Sequence, residues 1–431
     1  MSLTQDQSAD PSGSPAQPLA EREQVPLSGT NGGKPPRVKK PRSRRRRIFY
    51  RVLLAIFAFL LVVVSWASWS LYRATQSSEG EPTEVIAATW ARDHHLGFVV
   101  AKAEDFYYRY IDTTPVGGEP TEAAAIDAGS DDGVASGTAS DGTSTETGTT
   151  PTGAVLEHLQ PPATMNSPAG KNLPDEGVWQ ATKSTVDGTP AIYVARVRPD
   201  GIHTSVFASL MWIDTKLAKF GFVPGYQEPG GSSPTGGAMP KSWVPDALAS
   251  FNGGFRLQDS QGGYYNAGQT VAPLRDGAAS AVIYKDGRMK IGKWNRDVTM
   301  SKDVQTVRQN LNLIVDKGRS QINGSGGSEW GATTDGASLA WRSAVGQRSD
   351  GSVVYIGSPS LSADALANTL VEAGVRRAMT LDMNNWWVAG FYYRKTPNGD
   401  LACKKLDPAI QEGCDRFLNK YKRDNFAVLA K

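Results

Sequence analysis

Cysteine and histidine are nearly absent from this chain. Among its 431 residues there are two cysteines, Cys403 and Cys414, and four histidines, His94, His95, His158 and His203. It has no HExxH pair, no Walker loop and no GxSxG elbow. Two thiols do not build a zinc site unaided. Only His203 falls in the folded C-terminal part, in "DGIHTSV", at a turn entering a strand. A histidine-based zinc centre and a Ser-His-Asp triad are therefore poor readings. Chemistry here must rest on carboxylates, amides and arginines. No cofactor site is readable, and no metal cluster, although a lone divalent ion held by carboxylates stays open.

Two further scarcities divide the chain. Residues 1–47 are rich in Pro, Gly, Ser and Arg and have few apolar positions, so they bury too little surface to offset ordering entropy and are expected to be disordered. Charge is missing from Val52 to Tyr72, a run of 21 residues that is long enough as a helix to cross a bilayer. A transmembrane signal anchor is predicted over residues 48–72. It follows a basic run ending in Arg44 to Arg47 and Arg51, and Trp66, Trp69 and Tyr72 near its far end suit an interfacial aromatic belt. The basic N-terminus is then cytoplasmic and the C-terminal domain extracytoplasmic. The competing reading is a cleaved signal peptide, for which a basic leader of this length is unusual.

Residues 1–51 hold 11 Lys/Arg and 4 Asp/Glu, a net of +7, so the remaining residues sum to −4 within the chain total of +3. The basic run suits anionic membrane lipid, and nucleic acid is not an expected partner. On this topology Cys403 and Cys414 face an oxidising compartment, which favours a local disulfide as a staple.

Beyond the anchor, "TEVIAATWARDHHLGF" spaces Val85, Ile86, Trp90 and Leu96 roughly as a helix does, and a helical stalk is predicted over 83–112. His94 and His95 are adjacent and so point to different faces of such a helix. Gly, Ser, Thr, Asp and Ala dominate 113–153, the composition of a flexible linker. From about residue 175 the text changes to short strand-like runs between Gly, Pro and Asp turns. "SAVIYKDGRMKIGKW" reads as a hairpin about Asp286-Gly287, and "SADALANTLVEAGV" reads as a helix capped by Ser362 and stopped at Gly374. Residues 175–431 are expected to form an α+β domain, a mixed β-sheet structure with packed helices.

Three stretches in that domain exceed scaffold. In "ASFNGGF" a strand runs into Asn252-Gly253-Gly254, where adjacent glycines permit close backbone approach and N–H groups aimed at an anion. "LAWRSAVGQRSDG" supplies Arg342 and Arg348, which suit either a phosphate or surface ion pairs. In "AMTLDMNNWW" Asp382 closes an apolar strand, a usual place for ligand-facing groups.

Jointly, "ASFNGGF", "VRQNLNLIVDKGR", "WRSAVG" and "AMTLDMNNW" resemble the phosphodiester glycosidase family in order and spacing, over roughly residues 185–395. The resemblance implies a mixed sheet-and-helix domain that releases a free sugar and a phosphomonoester from a glycosyl-phosphodiester. Asn252, Gly253 and Gly254 match the family's Asn-Gly-Gly turn, Arg342 and Gly346 its Arg-[Ser/Thr]-Ala-x-Gly motif, and Asp382 the acid of its Leu-Asp-Gly-Gly-Gly-Ser motif. The chain departs from that pattern where Met383, Asn384, Asn385 and Trp386 replace Gly-Gly-Gly-Ser.

Because a phosphate-bearing leaving group is weakly basic, charge stabilisation matters more here than a strong general acid. Asp382 is expected to stabilise an oxocarbenium-like charge or activate water, with Arg342 and Arg308 on the phosphate. Asn252 and the N–H groups of Gly253 and Gly254 would orient the substrate, Asn384 would keep a polar donor, and Trp386 or Trp387 would stack on a sugar. Glu329 and Asp335 are alternatives for a second carboxylate. The expected partner is an envelope polysaccharide or glycosyl-phosphodiester of a bacterial cell. The alternative function is a non-catalytic glycan-binding or scaffolding protein on the same fold.

Overall fold

The uncharged run lies inside α1 (Arg44–Gln76), a helix four residues longer at each end than the predicted anchor. Its apolar side chains, Leu54 and Phe59 among them, are exposed along its length. At 1.5 Å per residue its 33 residues rise about 50 Å, more than the roughly 30 Å of a hydrocarbon core. Among the described residues it is the one helix long and apolar enough to cross a membrane. The computed structural model describes residues 44–76, 80–111, 113–122, 124–126, 133–134, 157–260, 262–322, 328–330 and 339–431. All but the last four residues of the tail predicted over 1–47, and most of the linker predicted over 113–153, lie outside them.

The chain divides into two units, residues 1–72 and 73–431. The second begins with α2 (Thr83–Asp93) and α3 (Gly97–Tyr110), whose crossing is tied by Arg92 Nη2 to Glu104 Oε1 at 2.5 Å. Apolar Val85 and Ile86 are buried, as their spacing suggests. The pair occupies the stretch predicted as a helical stalk over 83–112. It lies back on the sheets: Arg256 Nη1 donates to Asp93 Oδ1 at 2.5 Å, and Lys422 pairs with Glu81.

Three large antiparallel sheets and a two-stranded one follow among the described residues, so the unit is α+β. The eight-stranded sheet runs in the order Arg319–Ser320, Leu313–Asp316, Val375–Thr380, Ala340–Arg348, Val353–Leu361, Ala208–Ile213, Ile192–Val197 and Gln180–Ala181. The six-stranded sheet orders Gly133–Val134, Leu401–Lys405, Gly390–Lys395, Ala247–Asn252, Asn425–Ala430 and Ala218–Val223. The five-stranded sheet is built around Val304–Gln309 and Ala279–Tyr284.

Strand alternation explains how one sheet serves two cores. Val353 and Tyr355 face inward to a cluster shared with Phe251, Phe391, Phe426 and Ile283 of the other sheets. Their neighbours Val354 and Ile356 face outward, under Leu366 and Leu370 of the helix Ala363–Glu372. That helix begins where Ser362 accepts from Ala365 N at 3.0 Å and stops before Gly374, at φ 78°. Cys403 and Cys414 are bonded, with Cα atoms 5.7 Å apart.

Candidate functional site

Three strand ends meet at one place, two from the six-stranded sheet and one from the eight-stranded sheet. Ala247–Asn252 ends in the Asn-Gly-Gly turn, Val375–Thr380 runs out into Leu381 and Asp382, and Asn425–Ala430 is entered through Arg423 and Asp424. Backbone bonds lock the three: Asn252 N to Ala389 O at 2.9 Å, Gly253 N to Asp424 O at 2.8 Å, and Ser343 N to Asp382 O at 2.9 Å. From the five-stranded sheet, Arg308 Nε donates to Asp424 Oδ2 at 2.8 Å, with both side chains fully buried. The next residues reach on, Asn310 Nδ2 donating to Thr380 O at 2.6 Å and Leu381 O at 2.8 Å.

Asp382 is 5% exposed and lines a cavity of about 660 Å³. Its Oδ2 accepts from Arg423 Nη2, and its Oδ1 accepts from Met383 N at 2.8 Å. Burial pushes its carboxyl up to about 7, against the pull of Arg423 and the Met383 N–H and with help from nearby Asp424 and Asp259. A carboxyl poised there exchanges protons at neutral pH. Arg423 also donates to Gly254 O at 3.1 Å and stacks 4.8 Å from the Trp387 ring centre. Arg256 lines the same cavity; its Nε meets Asp259 Oδ2 at 2.9 Å, while its buried Nη2 has no partner among the described residues. The opposite wall comes from α2 and α3, through Arg92, His95 and Tyr108 among others.

Several residues expected at the substrate are placed elsewhere. Arg308 is fully buried, committed to Asp424, Gln309 O and Phe255 O, so it braces the turn from below. Arg342 is also buried, donating to Leu361 O at 2.7 Å and Trp330 O at 3.2 Å behind Met383, and burial pushes its guanidinium down to about 10. Asn252 spends its amide inside the fold, donating to Ser343 Oγ at 3.0 Å and accepting from Tyr355 Oη at 2.7 Å. Gly346 sits within a strand, where an added Cβ would lie 2.4 Å from Val375 Cγ1. The glycine of Gly253 is required by a close approach: a Cβ would lie 2.3 Å from Asp424 Cγ, and its N–H is already taken. Glu329 is exposed, and Asp335 lies outside the described residues.

Arg423 carries the cation that faces Asp382, and the sequence hinted at it only through adjacent opposite charges in "RDNFAVLA" at the mouth of an apolar strand. Glu228 is a second residue that reading missed. Its Oε2 accepts from Leu257 N at 3.4 Å, and burial pushes its carboxyl up against the opposing charge of Arg423. Among the described residues no group of three or more His, Cys, Asp or Glu is placed to hold a metal.

Residues 246–382 match the family model for phosphodiester glycosidase, a span that runs from just before the Asn-Gly-Gly turn to Asp382. These residues carry a phosphodiester glycosidase domain. No curated protein matches the chain. Among solved structures it is similar to the zebrafish N-acetylglucosamine-1-phosphodiester alpha-N-acetylglucosaminidase catalytic domain auto-inhibited by pro-peptide. The identity is 17%, over 59% of this chain and 88% of that one, with a TM-score of 0.36. A hypothetical protein from Synechocystis matches at 11% identity over 57% of this chain and 63% of its own, with a TM-score of 0.30. A putative exported protein from Burkholderia pseudomallei matches at 12% over 57% and 76%, with a TM-score of 0.27.

Just past the matched span, the chain adopts a backbone conformation typical of glycine at a residue that is not glycine. Asn384 has φ 140°, a region that residues with a Cβ rarely enter. Its side chain compensates in part, Oδ1 accepting from Trp386 N at 2.8 Å, while its O accepts from Val388 N at 3.1 Å. The next side chains then separate. Trp387 is buried beside Arg423 and lines the Asp382 cavity; Trp386, expected to serve this site, lines a different one.

Proposed function

We propose that this chain is a membrane-anchored hydrolase that cleaves the sugar from a glycosyl-phosphodiester, working outside the cytoplasm on envelope or exopolysaccharide glycans. One observation carries the reading: Asp382, a buried carboxyl that burial pushes up to about 7, lines a cavity together with Arg423 and Arg256. The matched family supports glycoside hydrolysis, and α1 supports the anchor.

In this scheme water attacks the anomeric carbon and gives its proton to ionised Asp382. The bond from that carbon to the phosphate-bearing oxygen breaks, and its electrons leave with the phosphomonoester. Negative charge grows on the leaving phosphate, where the guanidinium groups of Arg423 and Arg256 receive it. The same carboxylate faces the positive charge that develops on the sugar ring.

The test uses the full-length chain in a detergent with a non-sugar headgroup, incubated with a panel of glycosyl-phosphodiesters. Equal amounts of free sugar and phosphomonoester are expected from the wild type, with release reduced to background in Asp382→Asn. No release from any substrate, or release unchanged by Asp382→Asn, would overturn the proposal.

A further inference from the structure

Trp386 opens onto a second cavity, of about 450 Å³, on the other side of the stretch that carries Asp382. Four half-buried aromatic side chains, Trp90, Tyr226, Trp386 and Tyr421, line it. Three cations and four carboxylates share its wall, a net of −1. These charges are already engaged: Lys422 with Glu81, Arg416 with Glu412, and Asp93 with Arg256. Lys420 Nζ lies 4.8 Å from the centre of the Tyr226 ring. Arg416 nevertheless keeps a buried Nη1 with no hydrogen-bond partner among the described residues.

Open polar capacity is left on its wall. Glu81 Oε1, Trp386 Nε1 and Tyr421 Oη are buried and make no hydrogen bond among the described residues. They are respectively an acceptor, a donor and a group that does both. Buried groups of this kind are expensive to leave unmade, and three on one wall mark positions for hydroxyl groups of a ligand. Beside them the rings offer apolar faces. Flat apolar faces beside spare donors and acceptors fit the face and hydroxyls of a sugar.

We propose that this cavity is a saccharide subsite, binding a sugar unit of the substrate glycan next to the cavity that takes the phosphodiester. The inference deepens the hydrolase reading and rests on it for the link to catalysis. Thr89 of α2 lines both cavities, and Trp386 and Trp387 are sequence neighbours that serve one cavity each. None of Glu81, Trp90, Trp386 or Tyr421 lies within residues 246–382, so this recognition is built outside the family match.

Cellotetraose, maltotetraose and N-acetylchitotetraose serve as probes for the full-length chain in the same non-sugar detergent. Binding is read by saturation-transfer NMR and tryptophan fluorescence. At least one tetrasaccharide is expected to bind, about tenfold more weakly in Trp386→Ala and severalfold more weakly in Tyr421→Phe, which removes a single oxygen. Affinity in Asp382→Asn should equal that of the wild type. Binding of none of the three, or equal affinity in wild type, Trp386→Ala and Tyr421→Phe, would overturn the subsite. The two proposals fail separately: Trp386-dependent binding without sugar release defeats the hydrolase reading alone, and release with Trp386-independent binding defeats the subsite alone.

Discussion

The two cavities on either side of residues 382–387 differ in what each leaves unfinished. The Asp382 cavity holds a carboxyl that burial has pushed to the edge of ionisation, beside an arginine with one unpartnered nitrogen. In the Trp386 cavity most charges are held in ion pairs, and what remains open beside the aromatic rings is an indole N–H, a phenol, one Glu81 oxygen and one Arg416 nitrogen. Dehydrated charge is costly and reactive, whereas neutral polar groups beside aromatic rings are selective at low cost. A hydrolase of an anionic diester embedded in a neutral glycan needs both kinds of surface, separated so that neither compromises the other. Asn384, held at φ 140°, is the hinge of that separation, because from it Trp386 and Trp387 leave toward different cavities.

The largest effect should come from Asp382→Asn, with sugar release falling about 10²–10⁴-fold while tetrasaccharide binding is unchanged. Loss of both would merge the two cavities into one site. Next is Arg308→Ala, which leaves Asp424 buried without its ion-pair partner and should lower stability by about 3–5 kcal/mol in denaturant unfolding. A raised KM with an unchanged unfolding midpoint would instead make Arg308 a phosphate ligand. Smaller is the Trp386→Ala loss of sugar affinity described above. Smallest is Asn384→Gly: relief of the strained φ should raise stability by about 1 kcal/mol, less what the Asn384 to Trp386 hydrogen bond contributed. A substantial loss of stability would show that the asparagine side chain, not the backbone, holds the stretch.

Elements with local causes were legible in the sequence. The uncharged run gave α1, Asp286-Gly287 gave a hairpin turn, and Ser362 and Gly374 bounded a helix. Motif order located Asp382 and the Asn-Gly-Gly turn, which the structure brings to one place. Exposure was not legible. An arginine in a motif reads the same whether it faces a ligand or braces a turn, and only the packing of the sheets decides that Arg308 and Arg342 are spent inside the fold while Arg423, also buried, lines the cavity. Long-range folding hid the rest. Nothing in the spacing of Val85 and Ile86 says that α2 and α3 lie back over a strand end some 290 residues later in the chain, at Asp382.

The most direct test of the claim that Asp382 is the working carboxylate is the pH profile of sugar release in wild type and Asp382→Asn. A group that acts ionised, with its carboxyl pushed up to about 7, is active in proportion to its ionised fraction. That fraction rises from roughly a tenth at pH 6 to roughly nine tenths at pH 8. Release should therefore climb through pH 7 in the wild type and stay near background at every pH in the variant. A profile that is flat or falls between pH 6 and 8, or a variant that keeps wild-type release at any pH, would contradict it.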